Sequence, residues 1–316
     1  MSAPRVAAVI VTWNSAAHVG EAVRSVPEGV PVLVVDNASQ DGSAKVARQA
    51  GARVIEAGAN LGFGPACNLG AEASAPSGTI LFLNPDAALV NGASALAALL
   101  AALDSDPAVA AVAPALTGDG QEAFHLRRLP TLGSLAREAL LVNKLFPANP
   151  GFRAERYLDR PRDLSFDVEQ PAGAALLVRR DLFVSLRGFD PAFTPAWFED
   201  VDLCARIWKS GHRIRYVPSA VATHVGGTTM NALPYRDFLP LYTRNLFRYL
   251  QKHSDFATRL PARVLLFLGT VLRLVLLPFV RGDHARPDAA VAYLRVLQGL
   301  VGLGFTSALL PAREEP

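Results

Sequence analysis

The chain has 316 residues, of which 51% are hydrophobic and 19% charged, and a net charge of +3. That length holds one large α/β domain with an appendage, or two smaller domains, and the apolar share supports a sizeable core. So small a net charge does not argue for nucleic acid as the partner, and two distant cysteines, Cys67 and Cys204, provide neither a disulfide framework nor a metal-ligand spacing, the pattern of a reducing compartment.

Val6–Thr12 is a short β-branched apolar run and predicts a strand. Its apolar part is too short for a signal peptide and leads into polar Thr12, Trp13 and Asn14, so the active domain is expected to stay in the cytosol. Helical periodicity follows over Ala17–Val26, then a strand over Val32–Asp36 and a helix over Ser43–Ala50. Arg53–Glu56 and Thr79–Asn84 read as strands and Gly64–Ala73 as the helix between them. Ala93–Leu103 is an Ala/Leu-rich helix and Val109–Pro114 a further strand. Strands alternating with helices of this length predict a mainly parallel sheet covered on both faces.

Residues 117–167 break the rhythm and carry His125, Arg127, Arg128 and a basic cluster from Arg153 to Arg162. They are expected to form a mobile acceptor-side insertion over the active face. Order returns with a strand at Gly173–Arg179, helices at Asp181–Leu186 and Val201–Ser210, and a strand at Arg213–Pro218. A catalytic domain is therefore expected over 1–235 and a basic, apolar helical region over 236–316.

Between Arg244 and Arg295 nine Lys/Arg stand against three Asp/Glu, a local balance of +6. Tyr242–His253 predicts a basic helix, and Val264–Val280 is apolar with only Arg273 charged. At 100° per residue, Arg259, Arg263, Thr270 and Arg273 fall within an arc of roughly 80°. Together with Arg281, Arg286 and Arg295, these arginines predict helices lying in a membrane interface with the cations on anionic headgroups, and a turn at Pro278 and Gly282 between two in-plane segments. Packing as ordinary core helices is the alternative.

In an open parallel sheet, ligands bind beyond the carboxyl ends of the strands. The strand ending at Val35 delivers Asp36, whose carboxylate can accept the ring N–H of uracil or thymine. Asp41 and Ser43 read as turn and helix-capping residues. The Gly-rich run Asn60-Leu-Gly-Phe-Gly-Pro-Ala-Cys-Asn68 allows close backbone approach to a ligand. After the strand ending at Leu83 come Asn84, Pro85 and Asp86, which suit either a turn or a divalent ion on a diphosphate. Glu199, Asp200 and Asp202 lie within four positions at a helix start, where acids also favour the helix dipole. Trp197 and Phe198 beside them predict an aromatic wall, and His224 follows a strand as a possible neutral ligand.

Five motifs in this order resemble glycosyltransferase family 2, and within it the rhamnosyltransferase-like branch. They are Val11-Thr-Trp-Asn14, Val34-Val-Asp-Asn-Ala-Ser-Gln-Asp-Gly-Ser43, the run from Asn60 to Asn68, Phe82-Leu-Asn-Pro-Asp86, and Phe198-Glu-Asp-Val-Asp-Leu-Cys-Ala-Arg206. The helix Tyr242–His253 is similar to that branch as well. The resemblance spans about residues 5–253. It implies a GT-A fold, a dTDP- or UDP-sugar donor and inversion at the anomeric carbon. It implies that Thr12, Asn14, Asp36, Asn60, Gly62, Asn68 and Asn84 lie on the donor side, with Asp36 on the base. It further implies Asp86 and His224 at a Mg²⁺ or Mn²⁺ ion, Asp200 as catalytic base with Glu199 beside it, and Trp197, Phe198 and Asp202 toward the acceptor. Asn84 stands where the usual Asp-x-Asp has its first acid, one charge fewer. The Gln-x-x-Arg-Trp signature of processive synthases is missing, which implies one transfer per encounter.

The expected activity is transfer of a sugar, rhamnose by resemblance, to a lipid-linked glycan in cell-envelope polysaccharide synthesis, at the inner face of the membrane. Two rivals remain. A nucleotidyltransferase would carry a Gly-rich, basic loop after the first strand, where this chain has Trp13-Asn-Ser-Ala16. A non-catalytic sugar-nucleotide-binding or membrane-scaffold protein would not need Asp86, Asp200 and His224 together.

Overall fold

In chain order, a computed structural model shows β1 (Val6–Thr12), α1 (Val19–Ser25), β2 (Val32–Asp36), α2 (Ser43–Gln49), β3 (Arg53–Glu56), α3 (Phe63–Ala73), β4 (Thr79–Leu83), β5 (Ala87–Leu89), α4 (Gly92–Asp104) and β6 (Val109–Thr117). Then come β7 (Leu126–Arg127), α5 (Leu132–Ala139), α6 (Val142–Leu145), α7 (Pro150–Glu155), β8 (Phe166–Asp167), β9 (Gln170–Pro171), β10 (Ala175–Arg179) and α8 (Arg180–Ser185). The chain continues through α9 (Glu199–Lys209), β11 (Arg213–His224), α10 (Tyr235–His253), α11 (Phe256–Leu276) and α12 (Ala289–Leu300). The structure describes residues 4–118, 120, 124–226, 233–279 and 288–302.

The chain divides into two compact units, Met1–Leu129 with Arg156–Thr228, and Pro130–Glu155 with Thr229–Pro316. In the first, a nine-stranded sheet runs in the order β3-β2-β1-β4-β10-β6-β11-β5, with β8 on β11. The pairs β1–β2, β2–β3, β1–β4 and β6–β11 are parallel, and β10 runs against both its neighbours. Period-two alternation sets the layers. Val6, Ala8 and Ile10 of β1 enter the core formed with α1, α2 and α4. Val9 and Val11 enter the opposite core, formed with α3, α8 and α9. Because both faces are covered, every residue of β1 is buried, which is why this strand reads as an unbroken apolar run. The fold is a GT-A-type α/β sheet, and its strand order reverses at β1, placing the crevice beyond the ends of β1, β2 and β4.

The second unit holds α5–α7 and α10–α12. The segment 117–167 is therefore not one mobile insertion on the catalytic unit. Its middle is helical and belongs with the C-terminal helices, while β7, β8 and β9 belong to the first unit. The physical reason is close packing of α11 on α5. Gly269 sits where an added Cβ would come 2.8 Å from Ala139. Arg273 donates to the Glu138 and Ala139 carbonyls and to the Glu138 carboxylate, at 2.6, 3.1 and 2.8 Å, satisfying the open C-terminal end of α5.

The same bonds correct the expected placement of the arginines. Arg273 points into the unit. Arg263 donates to the Leu300 carbonyl and lies over the Phe247 ring, and Arg295 reaches Asp237 at 2.7 Å. The outward side of α11 is apolar instead: Phe256, Leu260, Val264, Leu268, Val275 and, in the turn after it, Phe279 are exposed. The segment Phe256–Phe279 has a mean hydropathy of 2.0 and is long enough to cross a membrane by length and composition. Arg281, Gly282 and Arg286, and the chain past residue 302, lie outside the described residues.

Candidate active site

Parallel pairing brings Thr12 and Asp36 side by side at the ends of β1 and β2. Both are buried, and Thr12 Oγ1 and Asp36 Oδ1 have no hydrogen-bond partner among the described residues. Buried polar atoms are almost always paired, so two adjacent orphans at strand ends mark a place where a ligand completes the bonding. The other oxygen of Asp36 accepts the Ser39 N–H at 3.1 Å, which fixes the carboxylate. Asn14, at φ 50°, accepts from the Gln40 N–H at 2.8 Å and donates its own N–H to Ser39 at 2.9 Å. It shapes the loop around Asp36. Asp41 accepts from the Ser43 and Ala16 N–H groups and so braces the turn before α2, whose cap position is Gly42, with no side-chain cap bond.

The Gly-rich run is used differently from expectation. Asn60 accepts the Gly62 N–H at 3.0 Å and so braces its own turn. Gly62 has φ +84°, and a Cβ there would come 2.8 Å from the Pro195 carbonyl. The close approach that only glycine permits here is to the segment before α9. Asn68 donates to the Phe189 carbonyl and accepts from the Phe189 N–H, both at 2.8 Å. Its side chain is engaged with the Phe189 backbone.

Asn84 opens a turn, its carbonyl accepting from Ala87 at 3.1 Å, while its N–H donates to Ala174 at 2.8 Å. The turn delivers Asp86 beside the end of β11, where His224 pairs in register with Ala87. His224 Nε2 lies 3.6 Å from Asp86 Oδ1. Among the described residues, no group of three or more His, Cys, Asp and Glu side chains is arranged as a metal cage. One carboxylate and one imidazole at this separation suit a divalent ion that takes its remaining oxygens from a diphosphate and water. His125 packs edge-on against His224 at 6.3 Å between ring centroids and is fixed by the Leu116 carbonyl at 3.1 Å.

Trp197 and Phe198 both have left-handed backbones, φ 70° and 73°, immediately before α9. Two bulky residues in that region store strain of order 1–3 kcal/mol each, a cost that clusters at functional sites. Phe198 is buried, so of the expected aromatic wall only Trp197 is partly open. Asp202 is fully buried and paired with Arg206 at 2.8 Å, so it cannot face an acceptor. Glu199 is buried with Oε2 unpartnered. Burial, then the charge of Asp200, pushes its carboxyl well up and favours the neutral acid. Asp200 is half-buried. Burial raises its carboxyl too, opposed by the Val201 N–H, the charge of Arg127 and the Gly173 N–H. Of the three acids, Asp200 alone is partly accessible, and its carboxylate accepts from Gln170 at 3.3 Å and from the Val201 N–H at 2.8 Å.

Comparison with known proteins decides the family. The profile described as Glycosyl transferase family 2 matches residues 7–164. The chain is 32% identical over 236 residues to an N-acetylglucosaminyl-diphospho-decaprenol L-rhamnosyltransferase of Mycobacterium tuberculosis, covering 68% of this chain and 74% of the relative. The chain belongs to glycosyltransferase family 2. The family 2 fold is also that of a mannosyltransferase from Pyrobaculum calidifontis solved with GDP-Man and Mn²⁺, at TM-score 0.57 and 17% identity over 96% of this chain and 84% of that one. A glucosyl-3-phosphoglycerate synthase of Mycobacterium tuberculosis, solved with Mn²⁺, UDP-Glc and phosphoglyceric acid, matches at TM-score 0.51 and 16% identity, covering 79% of each chain. This chain is thus a glycosyltransferase with relatives among the rhamnosyltransferases.

Three side chains of this glycosyltransferase's site escaped the sequence reading of roles. Gln170 donates to Asp200 at 3.3 Å, Arg127 acts on the same carboxylate by charge, and His125 backs His224. The basic and His-bearing run 125–128 was the only signal for two of them. Gln170 carried none, because its partner lies 30 residues away in a segment joined to it only by folding.

Proposed function

We propose that this glycosyltransferase moves rhamnose, with inversion, from a dTDP- or UDP-linked donor to a hydroxyl of a lipid-linked glycan, at the cytoplasmic face of a membrane. The observation that carries the donor reading is the pair of orphaned buried atoms, Thr12 Oγ1 and Asp36 Oδ1, at adjacent strand ends. The fixed Asp36 carboxylate accepts a ring N–H, which uracil and thymine offer at N3. The name of the mycobacterial relative supports the sugar and the diphosphate-polyprenol class of acceptor.

In this reading, Asp200 removes the proton of the acceptor hydroxyl as its oxygen attacks the anomeric carbon. The bond from that carbon to the diphosphate oxygen breaks on the opposite face. A positioned general base supplies about 10²–10⁴-fold. Asp86 and His224 would hold a Mg²⁺ or Mn²⁺ ion on the donor diphosphate. Such an ion neutralises charge on the leaving group. Trp197, Asn84 and Asn14 border the donor and acceptor space.

The outward apolar side of α11 supports the membrane partner. Lipid contact through this side, with Arg263, Arg273 and Arg295 bonded inward, replaces the picture of arginines on headgroups.

The deciding experiment is transfer itself. Purified protein with dTDP-rhamnose, Mg²⁺ and a short polyprenyl-diphospho-N-acetylglucosamine should yield a product heavier by one deoxyhexose, read by mass spectrometry. A donor that binds with no transfer or hydrolysis would establish the non-catalytic rival. Equal turnover with GDP-sugars would overturn the reading of Asp36.

A further inference from the structure

β7 and β9 form a separate two-stranded ribbon, antiparallel, with Arg127 directly opposite Gln170 and Leu126 opposite Pro171. Residues directly opposite in an antiparallel pair project to the same side. Both Arg127 and Gln170 act on one group, the carboxylate of Asp200. Gln170 is buried, and its Nε2 donates to Asp200 Oδ2 at 3.3 Å and to the Pro171 carbonyl at 3.0 Å. The second bond fixes the amide so that its nitrogen faces the acid. Arg127 is held by its Nε on the Phe124 carbonyl at 2.9 Å, and its register opposite Gln170 puts it on the side of the ribbon that carries the Gln170 contact to Asp200. The ladder continues one step, with Ala172 N–H on the His125 carbonyl at 2.7 Å. It then delivers Gly173, where a Cβ would press to 3.2 Å on the Asp200 Cβ and Oδ2.

We propose that the β7–β9 ribbon is a positioning device for the base: Gln170 orients the carboxylate of Asp200 for proton abstraction, and Arg127, directly opposite Gln170, supplies the cation that opposes its protonation. The inference rests on Asp200 as base and goes beyond it by naming what sets its direction and charge. The need for such a device follows from the surroundings. Asp200 faces Glu199 on its own helix and Cys204 one turn on, and both are groups that burial keeps protonated. Neither supplies a positive charge, and desolvation alone pushes Asp200 toward its neutral form. The opposing cation is Arg127, on β7 of the ribbon. The two ribbon strands bracket residues 128–169, so the base is held by residues from both ends of that long excursion.

The test is the pH dependence of kcat with donor and acceptor saturating. A base must be unprotonated, so turnover falls on the acid side. In Arg127→Gln the midpoint of that acid limb should move up by roughly 0.5–1.5 pH units, with turnover recovering at alkaline pH. Arg127→Lys, which keeps the charge, should leave the midpoint within about 0.3 units of wild type, as retained charge requires. Gln170→Met, similar in volume without the donor, should lower kcat about 10-fold or more at every pH through misorientation, with the donor Kd unchanged. Donor Kd and thermal unfolding establish that each variant is folded, and Gln170→Asn provides a second probe should the Met variant not fold. An unmoved acid limb in Arg127→Gln, or wild-type kcat in the Gln170 variants, overturns the proposal. Asp200→Asn distinguishes the two levels: if it turns over normally the base assignment itself is wrong, whereas if it is inactive and the ribbon variants are normal, only the ribbon's role falls.

Discussion

Asn68 and Phe189 hold each other across 121 residues, the side-chain amide of one making both backbone hydrogen bonds of the other at 2.8 Å. The clasp ties α3 to the segment entering α9. Phe189 in turn packs edge-on against Phe63 and Phe82 at 6.1 and 5.2 Å, so the clasp fixes the floor beneath the acid-bearing helix start.

Asn68→Ala leaves the Phe189 N–H and carbonyl without partners in a half-buried setting. A loss of about 2–4 kcal/mol is expected, since each unsatisfied group costs about 1–3. Urea unfolding measures it, and the donor Kd should stay within about twofold (~0.4 kcal/mol) of wild type, because lost backbone bonding is a stability term. A large drop in donor affinity with unchanged stability would return Asn68 to the donor side.

The acids at the start of α9 should separate cleanly. Asp200→Asn is expected to lower kcat by at least ~10² with donor binding intact. Glu199→Gln should keep most of the turnover, since the native side chain already favours its neutral form. Its stability carries a pH signature. Because the folded pKa of Glu199 is raised, its contribution is fully present below the unfolded value of about 4.3 and is lost as pH rises through the folded value. Wild type should therefore lose stability relative to Glu199→Gln as pH is raised from about 4.5 toward 8. Parallel curves in urea titrations across that range would contradict it.

Metal dependence should trace to Asp86 and His224. Excess chelator is expected to abolish turnover, with recovery on adding Mg²⁺ or Mn²⁺. Asp86→Asn should raise the metal concentration for half-activity about 10-fold or more, as loss of the one charged ligand of a weak oxygen site demands. Full turnover in chelator would show that the pair serves the fold alone.

Liposome flotation tests the outward side of α11. Val264→Glu with Leu268→Glu should abolish flotation, because each apolar side chain leaving lipid contact forfeits about 1.5–3 kcal/mol before the cost of the charge is added. The double variant should keep its far-UV helix signal, as both positions are exposed. Arg273→Ala should instead weaken packing on α5 and lower the unfolding temperature. Protein that resists carbonate extraction would show that Phe256–Phe279 spans the bilayer.

Val6–Thr12, Val32–Asp36 and Arg53–Glu56 have the bounds that their sequence runs predict; β1 and β2 were legible because they are buried on both faces, whereas the edge strand β3 keeps only Val54 and Ile55 partly covered between exposed Arg53 and Glu56. Thr79–Leu83 ends one residue before the predicted Asn84, and the helices shift by a few residues where capping, not periodicity, sets the end. β7, β8 and β9 are two residues each, too short to carry any period, and were missed.

Local patterning thus determined the sheet, its two apolar cores, the family and the strand-end positions of Thr12, Asp36 and Asp86, because burial periodicity and turn chemistry act over a few neighbouring residues. Tertiary structure alone decided which polar side chains are free to act. Asp202 and Asn68 read in sequence like Asp200 and Asn84, yet Arg206 and the Phe189 backbone occupy them. The arginines of α11 form one stripe in sequence whichever way the helix is turned, and packing against Ala139 turned that stripe inward. A side chain's chemistry is written in its type, but its availability depends on partners that only folding brings within about 3 Å, the reach of a hydrogen bond.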